Sequence, residues 1–305
     1  MSNNSSHHQP VLLQQVVELL TPAPDKHFID ATFGRGGHSR ALLARGARVL
    51  AFDFDQHSIE QAQANFAKEL ASQQLVLVRE NFSQLASKVR QLGGAWLAQP
   101  SAVLFDFGTS TDQLMSKERG FSFDAADETL DMRMDERLGV KACDLLKLLD
   151  EKQLAQLLFE YGGEEQARAI AKRIVAQRKS DPNSLEQVAT LVQIIESVKA
   201  RRPGQLHPAT KTFQALRIIV NDELRNIEAA LPQALQLLRA SSAIDKKIVC
   251  ISFHEGEDRL VKTFFKQIEQ DNLGKSLTKK ALTASDEELA INPRARSAKL
   301  RAIAL

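Results

Sequence analysis

The sequence predicts an α/β fold in which a parallel sheet is interrupted by an inserted all-helical domain, and three observations carry that reading. Short apolar runs alternate with amphipathic stretches from residue 27 to 107, the pattern turns wholly helical after about residue 115, and a strand-and-helix pattern returns near the C-terminus.

Residues 27–32 read as a first strand and 38–45 as a helix; 48–53 form a second strand, followed by a helix over 57–70. Residues 75–79 and 102–107 supply two more strands, and each strand ends in polar or glycine residues, the edge where such sheets hold ligands. The helical block opens with 142–149 and 152–161, stopped by Gly162 and Gly163. Over 164–178, Ala167, Ile170, Ala171, Ile174 and Val175 share one helical face. Ser184 and Gln187 have the spacing of a capping box ahead of Leu185, Val188, Val192 and Ile195, which predicts a helix start there. A long helix is expected from Lys211, with Phe213, Leu216, Val220, Leu224, Ile227 and Leu231 at helical offsets until Pro232 ends it or opens the next. Residues 247–253 then form a strand and 257–268 a helix with Leu260, Val261, Phe264 and Phe265 inward. Ala298, Leu300, Ala302 and Ala304, alternating with Ser297, Lys299 and Arg301, predict a final strand. The expected division is 1–114 and 211–305 for the two parts of the sheet domain, with 115–210 as the helical insertion.

With 305 residues and 43% hydrophobic content, the chain has the composition of a soluble globular protein. No apolar stretch nears the roughly 18 residues of a membrane span, and Met1 to Gln9 lack an apolar signal core, so a cytoplasmic protein with no membrane partner is expected. Cys143 and Cys250 are the only cysteines and have no chelating spacing, so no metal is expected. Forty basic against 38 acidic residues leave a net charge of +2, so any nucleic-acid contact must come from local patches. Candidates are Arg168, Lys172 and Arg173; Lys199, Arg201 and Arg202; Lys211 and Arg217; and Arg294, Arg296, Lys299 and Arg301, each equally readable as a solvated face.

The first strand runs into Gly34-Arg35-Gly36-Gly37-His38, a turn whose missing side chains let a ligand approach backbone N–H groups. Asp53 follows about 20 residues on at the tip of the second strand, where an acid accepts hydrogen bonds from the ribose of a nucleoside cofactor. Asp55 reads better as the N-cap of the next helix. Spacing alone leaves a nicotinamide enzyme and a methyltransferase as rivals, although the turn lacks the full dinucleotide fingerprint. Asn81-Phe82, at the third strand's end, offers an aromatic face to an adenine or is simply core. Asp106 closes the fourth strand after Val103, Leu104 and Phe105; an acid there is costly to bury unpaired, so a ligand or loop partner is expected.

Taken together, these residues resemble the bacterial small-subunit ribosomal RNA (cytosine-N4) methyltransferases, the MraW or RsmH family. The resemblance rests on His8-Gln9-Pro10-Val11-Leu12-Leu13, the run from Asp30 to Ser39, Arg119-Gly120-Phe121-Ser122-Phe123, the run from Leu130 to Asp135, the run from His207 to Arg217, and Asn292-Pro293-Arg294-Ala295-Arg296-Ser297. It implies a Rossmann-like class I S-adenosylmethionine-dependent methyltransferase sheet, a substrate-recognition role for the insertion, and small-subunit ribosomal RNA as partner; the choice between a single chain and a homodimer stays open. The implied S-adenosylmethionine site consists of Gly36, Gly37, His38, Asp53, Phe82, Asp106 and Gln113. The chain departs from its relatives over Thr109 to Asp112 and at Glu255-Gly256, and it has Lys211 where Arg is usual. A diverged, non-catalytic RNA-binding or assembly factor is therefore the alternative.

Methyl transfer from a sulfonium needs an in-line approach and no enzyme nucleophile. The cytosine amine is a poor nucleophile, so an acceptor for its N–H is expected in the Asp106 to Ser110 loop, with Asp106 and Ser110 as the catalytic candidates. Attack through ring carbon 5 would need a cysteine, but Cys143 in an amphipathic helix and Cys250 in an apolar strand both read as structural. The target base must leave its stack; Phe121 and Phe123 either stack on it or anchor a loop, and His207-Pro208 and His254 read as turn and strand-end residues. Lys211, Arg217, Arg294 and Arg296 are the expected RNA contacts.

Overall fold

In the computed structural model, which describes residues 9–108, 119–123, 127–201 and 203–305, seven strands form one sheet. They are β1 (His27–Asp30), β2 (Arg48–Asp53), β3 (Leu75–Arg79), β4 (Pro100–Asp106), β5 (Lys247–Ser252), β6 (Lys275–Ser276) and β7 (Lys299–Ala304). Their order is β3-β2-β1-β4-β5-β7-β6. The first five are parallel, and β7 runs antiparallel to both β5 and β6. The apolar runs have this outcome because both faces of the sheet are covered. Side chains alternate across it: Phe28, Val49, Ala51, Leu104, Val249 and Ile251 pack on one face with Val16, Leu42 and Phe66. Ile29, Leu50, Phe52, Val103, Phe105 and Ile248 pack on the other with Leu85, Ile227, Leu231 and Val261. The chain goes from β1 outward to β2 and β3, then returns to β4 on the other side, so the carboxyl ends of β1 and β4 flank the topological switch point at which open α/β sheets hold ligands.

Two compact units make up the chain: a sheet unit of Met1–Gly108 with Leu224–Leu305, and a helical unit of Thr109–Glu223. The second boundary falls beyond the expected residue 210. The helix Thr210–Val220 packs within the helical unit against Glu151–Gly162, so closely that a Cβ on Gly162 would stand 2.3 Å from the Lys211 carbonyl oxygen. The single long helix expected from Lys211 is two, Thr210–Val220 and Glu223–Ala240. Asn221 breaks it, its side chain accepting from Met134 N at 2.7 Å and donating to Met132 O at 2.8 Å, and Asp222 turns left-handed at φ 51°. Apolar periodicity cannot register such a break, because the buried stripe continues on both sides. Pro232 neither ends nor starts a helix; it lies inside the second, where Ala230, Leu231 and Ala234 keep that face buried.

The expected capping box is also absent. Residues Asn183–Glu186 form a 3₁₀ turn, the Ser184 hydroxyl donates to Asp181 O and accepts from Gln177, and the helix Val188–Glu196 starts after Gln187 with no side-chain cap. The helix expected over 57–70 is split at the buried Phe66 into Gln56–Asn65 and Ala67–Ala71. No helix among the described residues is long and apolar enough to cross a membrane.

Candidate active site

Beyond β1 the backbone turns left-handed at Gly34 (φ 54°) and Gly36 (φ 72°) before entering the helix Gly37–Leu43. A Cβ on Gly36 would lie 2.4 Å from the Phe33 ring, and one on Gly37 2.3 Å from Pro10, so packing demands both glycines. A Cβ on Gly34 would meet nothing within 4 Å; that side of the turn is open.

Asp53 grips this turn from the end of β2. Its Oδ2 accepts from Gly34 N at 2.8 Å and its Oδ1 from Asp55 N at 2.9 Å. Burial nevertheless outweighs these bonds and pushes its pKa up to about 7. Asp55 caps the next helix, accepting from His57 N. Asp106 ends β4 with its N–H donating to Thr32 Oγ1 at 2.6 Å. Its Oδ2 stands 3.6 Å from His38 Nδ1, while its Oδ1 is buried with no hydrogen-bond partner among the described residues. Burial first, then the charge of Asp30, raises this carboxyl to about 8.

Sequence reading passed over Asp30 as a ligand-site residue, though it closes β1 as the other two acids close their strands. It accepts from Ser39 Oγ at 2.6 Å and Thr32 N at 3.2 Å, and burial lifts it to about 6. Two buried carboxyls, Asp30 and Asp53, and the half-buried Asp106 thus stand at the carboxyl ends of β1, β2 and β4. Their mutual repulsion favours a ligand that brings positive charge, and the unpartnered Asp106 Oδ1 calls for a donor.

Phe82 lies just past β3, mostly buried, its ring 5.9 Å from both Phe105 and Phe107; Asn81 is committed to capping, accepting from Ser83 N. Ser110 and Gln113, like Thr109, Asp112, Arg202 and His8, lie outside the described residues. At the end of β5, His254 N-caps the helix Glu255–Gln270, its Nδ1 accepting from Gly256 N and Glu257 N. Glu257 returns the bond to His254 N, and Asp258 holds Arg301 with two bonds. The departure at Glu255-Gly256 therefore sits in a well-formed first turn.

Of the expected RNA contacts, Arg294 and Arg296 are exposed in the turn Pro293–Ser297. This segment is tied to the N-terminal strand of coil, with Asn292 Nδ2 donating to Gln9 O at 3.0 Å and Leu12 N to Glu288 at 2.7 Å. Pro10 in turn abuts Gly37, which brings the C-terminal motif beside the glycine turn. In the helical unit, Lys211 donates to Gly163 O, and Arg217 turns its fork onto Glu223 at 2.8 and 2.9 Å, which competes with any phosphate. Phe121 is buried and Phe123 stacks on His207 with ring centroids 4.2 Å apart, the geometry of loop anchors. Cys143 and Cys250 are buried and burial raises both thiols, so neither is poised as a nucleophile.

Residues 5–305 match the MraW methylase family. Among similar proteins, a ribosomal RNA small subunit methyltransferase H from Heliobacterium mobile is 41% identical over 316 residues, covering 97% of each chain. The protein of that name from Nitrosococcus oceani is 39% identical over 320 residues, covering 99% of this chain and 98% of its own. That from Chromobacterium violaceum is 39% identical over 320 residues, covering 99% and 96%.

Proposed function

The chain belongs to the MraW methylase family, and from that membership we propose that it transfers a methyl group from S-adenosylmethionine to the exocyclic N4 of a cytosine in small-subunit ribosomal RNA, in the cytoplasm. The observation that carries this reading is the buried Asp106 Oδ1 at the switch point, which has no hydrogen-bond partner among the described residues, beside a glycine turn with one open side. A cationic nucleoside fits this acid-rich sheet edge: Asp53 keeps a second lone pair on each oxygen for ribose hydroxyls, and the three carboxyls favour a positive centre. Gly36, Gly37, His38, Asp53, Phe82, Asp106 and Gln113 are the proposed cofactor-binding residues.

When bound, the cofactor supplies a methyl group made electrophilic by its sulfonium sulfur. The chain's own task is to orient the cytosine amine in line with that methyl and accept its N–H, which localises the nitrogen lone pair. Asp106 does this, and Ser110, outside the described residues, is the second proposed catalytic residue. Arg294 and Arg296 are proposed to hold RNA phosphates, with Lys211 and Arg217 as further contacts from the helical unit, whose proposed role is substrate recognition.

The test uses purified chain, labelled cofactor and small ribosomal subunits that lack the modification, followed by nucleoside analysis. N4-methylcytidine is the expected product. Cofactor binding with no methylated nucleoside would turn the assignment toward a non-catalytic assembly factor.

A further inference from the structure

His38 is 7% exposed, and its ring spans two groups that differ in what they can do with a proton. Nε2 lies 3.0 Å from Val11 O, and Nδ1 lies 3.6 Å from Asp106 Oδ2. A carbonyl only accepts, so Nε2 carries a hydrogen, and Nδ1 of the neutral ring is then a lone pair facing a carboxyl. The backbone enforces this arrangement. Leu12, fully buried, is held left-handed at φ 53° and ψ 34°, a conformation side-chain-bearing residues rarely adopt, and Glu288 fixes it by accepting Leu12 N–H at 2.7 Å. That strained link aims the Val11 carbonyl at the ring.

We propose that His38, its tautomer fixed by the Val11 carbonyl, is a positioning residue whose ring, when protonated, sets a positive charge against Asp106 at ion-pair distance and so keeps the Asp106 carboxylate able to take the proton released by the acceptor amine. This rests on the methyltransferase reading above. The amine gives its lone pair to the methyl carbon as the carbon–sulfur bond breaks, sulfur keeping that bond's electron pair. The surplus proton of the amine passes to Asp106 and leaves to solvent with the product. Asp30 on β1 and Glu257 on the helix Glu255–Gln270 also face Asp106, and both add negative charge. Without a cationic partner Asp106 would therefore hold its own proton near neutrality and could not accept another; among the described residues, His38 is the group paired with it that can carry the opposite charge.

Two measurements test this. His38→Gln keeps an N–H for Val11 but loses the titrating nitrogen; at saturating cofactor it should slow methyl transfer about ten-fold or more at pH 7, with the deficit shrinking toward pH 9. A deficit equal at every pH overturns the proposal. Independently of activity, NMR of the His38 ring in the cofactor-free chain should show its titration midpoint falling by about one unit or more in Asp106→Asn. An unmoved midpoint overturns the coupling. If the chain methylates no RNA while the midpoint moves, the functional reading fails and the pair itself stands.

Discussion

Asp53 is asked to do two things at once: fix the glycine turn through Gly34 N–H and remain available to a ligand's hydroxyls. We predict that Asp53→Ala weakens S-adenosylmethionine binding by about 1.5–3 kcal/mol, the worth of hydrogen bonds to a charged acceptor, as read by titration calorimetry. With its carboxyl raised to about 7, wild-type affinity should climb as pH rises through neutrality and the acceptor ionises, and the Ala variant should lose most of that climb. Unchanged affinity would remove Asp53 from the site. The placement of Asp53 and Asp106 at strand ends was legible in the sequence, because each directly follows an apolar run. The role of the His38 side chain was not, since it depends on Val11, 27 positions away, whose carbonyl direction is set by the backbone of Leu12. Nor was the tethering of Arg294, which needs contacts between the two ends of the chain.

Elements were legible as far as periodicity reaches, so strands and helices were placed within a few residues while the breaks at Phe66 and Asn221-Asp222 went unseen. Both breaks come from single side chains or backbone turns that leave the apolar stripe intact. Gly162 presents the opposite case, a residue read as a stop signal whose further role is to let two helices touch. A Cβ there meets the Lys211 carbonyl at 2.3 Å, so backbone must move. Gly162→Ala should destabilise the helical unit by about 1–3 kcal/mol or more, measured by chemical denaturation; a loss below about 0.5 kcal/mol would show that the helices separate freely. In the turn Pro293–Ser297, Arg294→Ala with Arg296→Ala should weaken RNA binding and lower the salt slope of log affinity by roughly 1.5, at about 0.7 per phosphate contact of a single strand, while cofactor affinity stays as it was. An unaltered slope would place the RNA elsewhere.

For the molecule as a whole, the parallel order of the sheet gathers acids that lie far apart in sequence onto one edge, and that concentration has a price in stability. Asp30, Asp53 and Asp106 are raised to about 6, 7 and 8, against ordinary values near 4 in the unfolded chain. Between these limits the folded chain holds protons that the unfolded chain has lost, so stability falls as pH rises. Other groups act in the opposite direction. Asp131 and Asp245 are lowered, and their contribution is complete once pH exceeds the unfolded carboxylate value. His27 is lowered by burial, and its contribution grows only until the unfolded imidazole has lost its proton near 6.5. From pH 7 to about 8 the titrations of Asp53 and Asp106 therefore dominate, and the two raised thiols add to the fall only toward pH 8.5. The thermal midpoint of the cofactor-free chain should fall across this range, and Asp106→Asn should flatten that fall by removing the later of the two titrations. Saturating S-adenosylmethionine should flatten it as well, because a bound cation favours the ionised carboxyls that burial alone resists. A wild-type midpoint that rises from pH 7 to 8.5 would mean that these acids are already ionised in the free protein, and the pocket would then lack the charge imbalance on which recognition of a cationic cofactor is argued to depend.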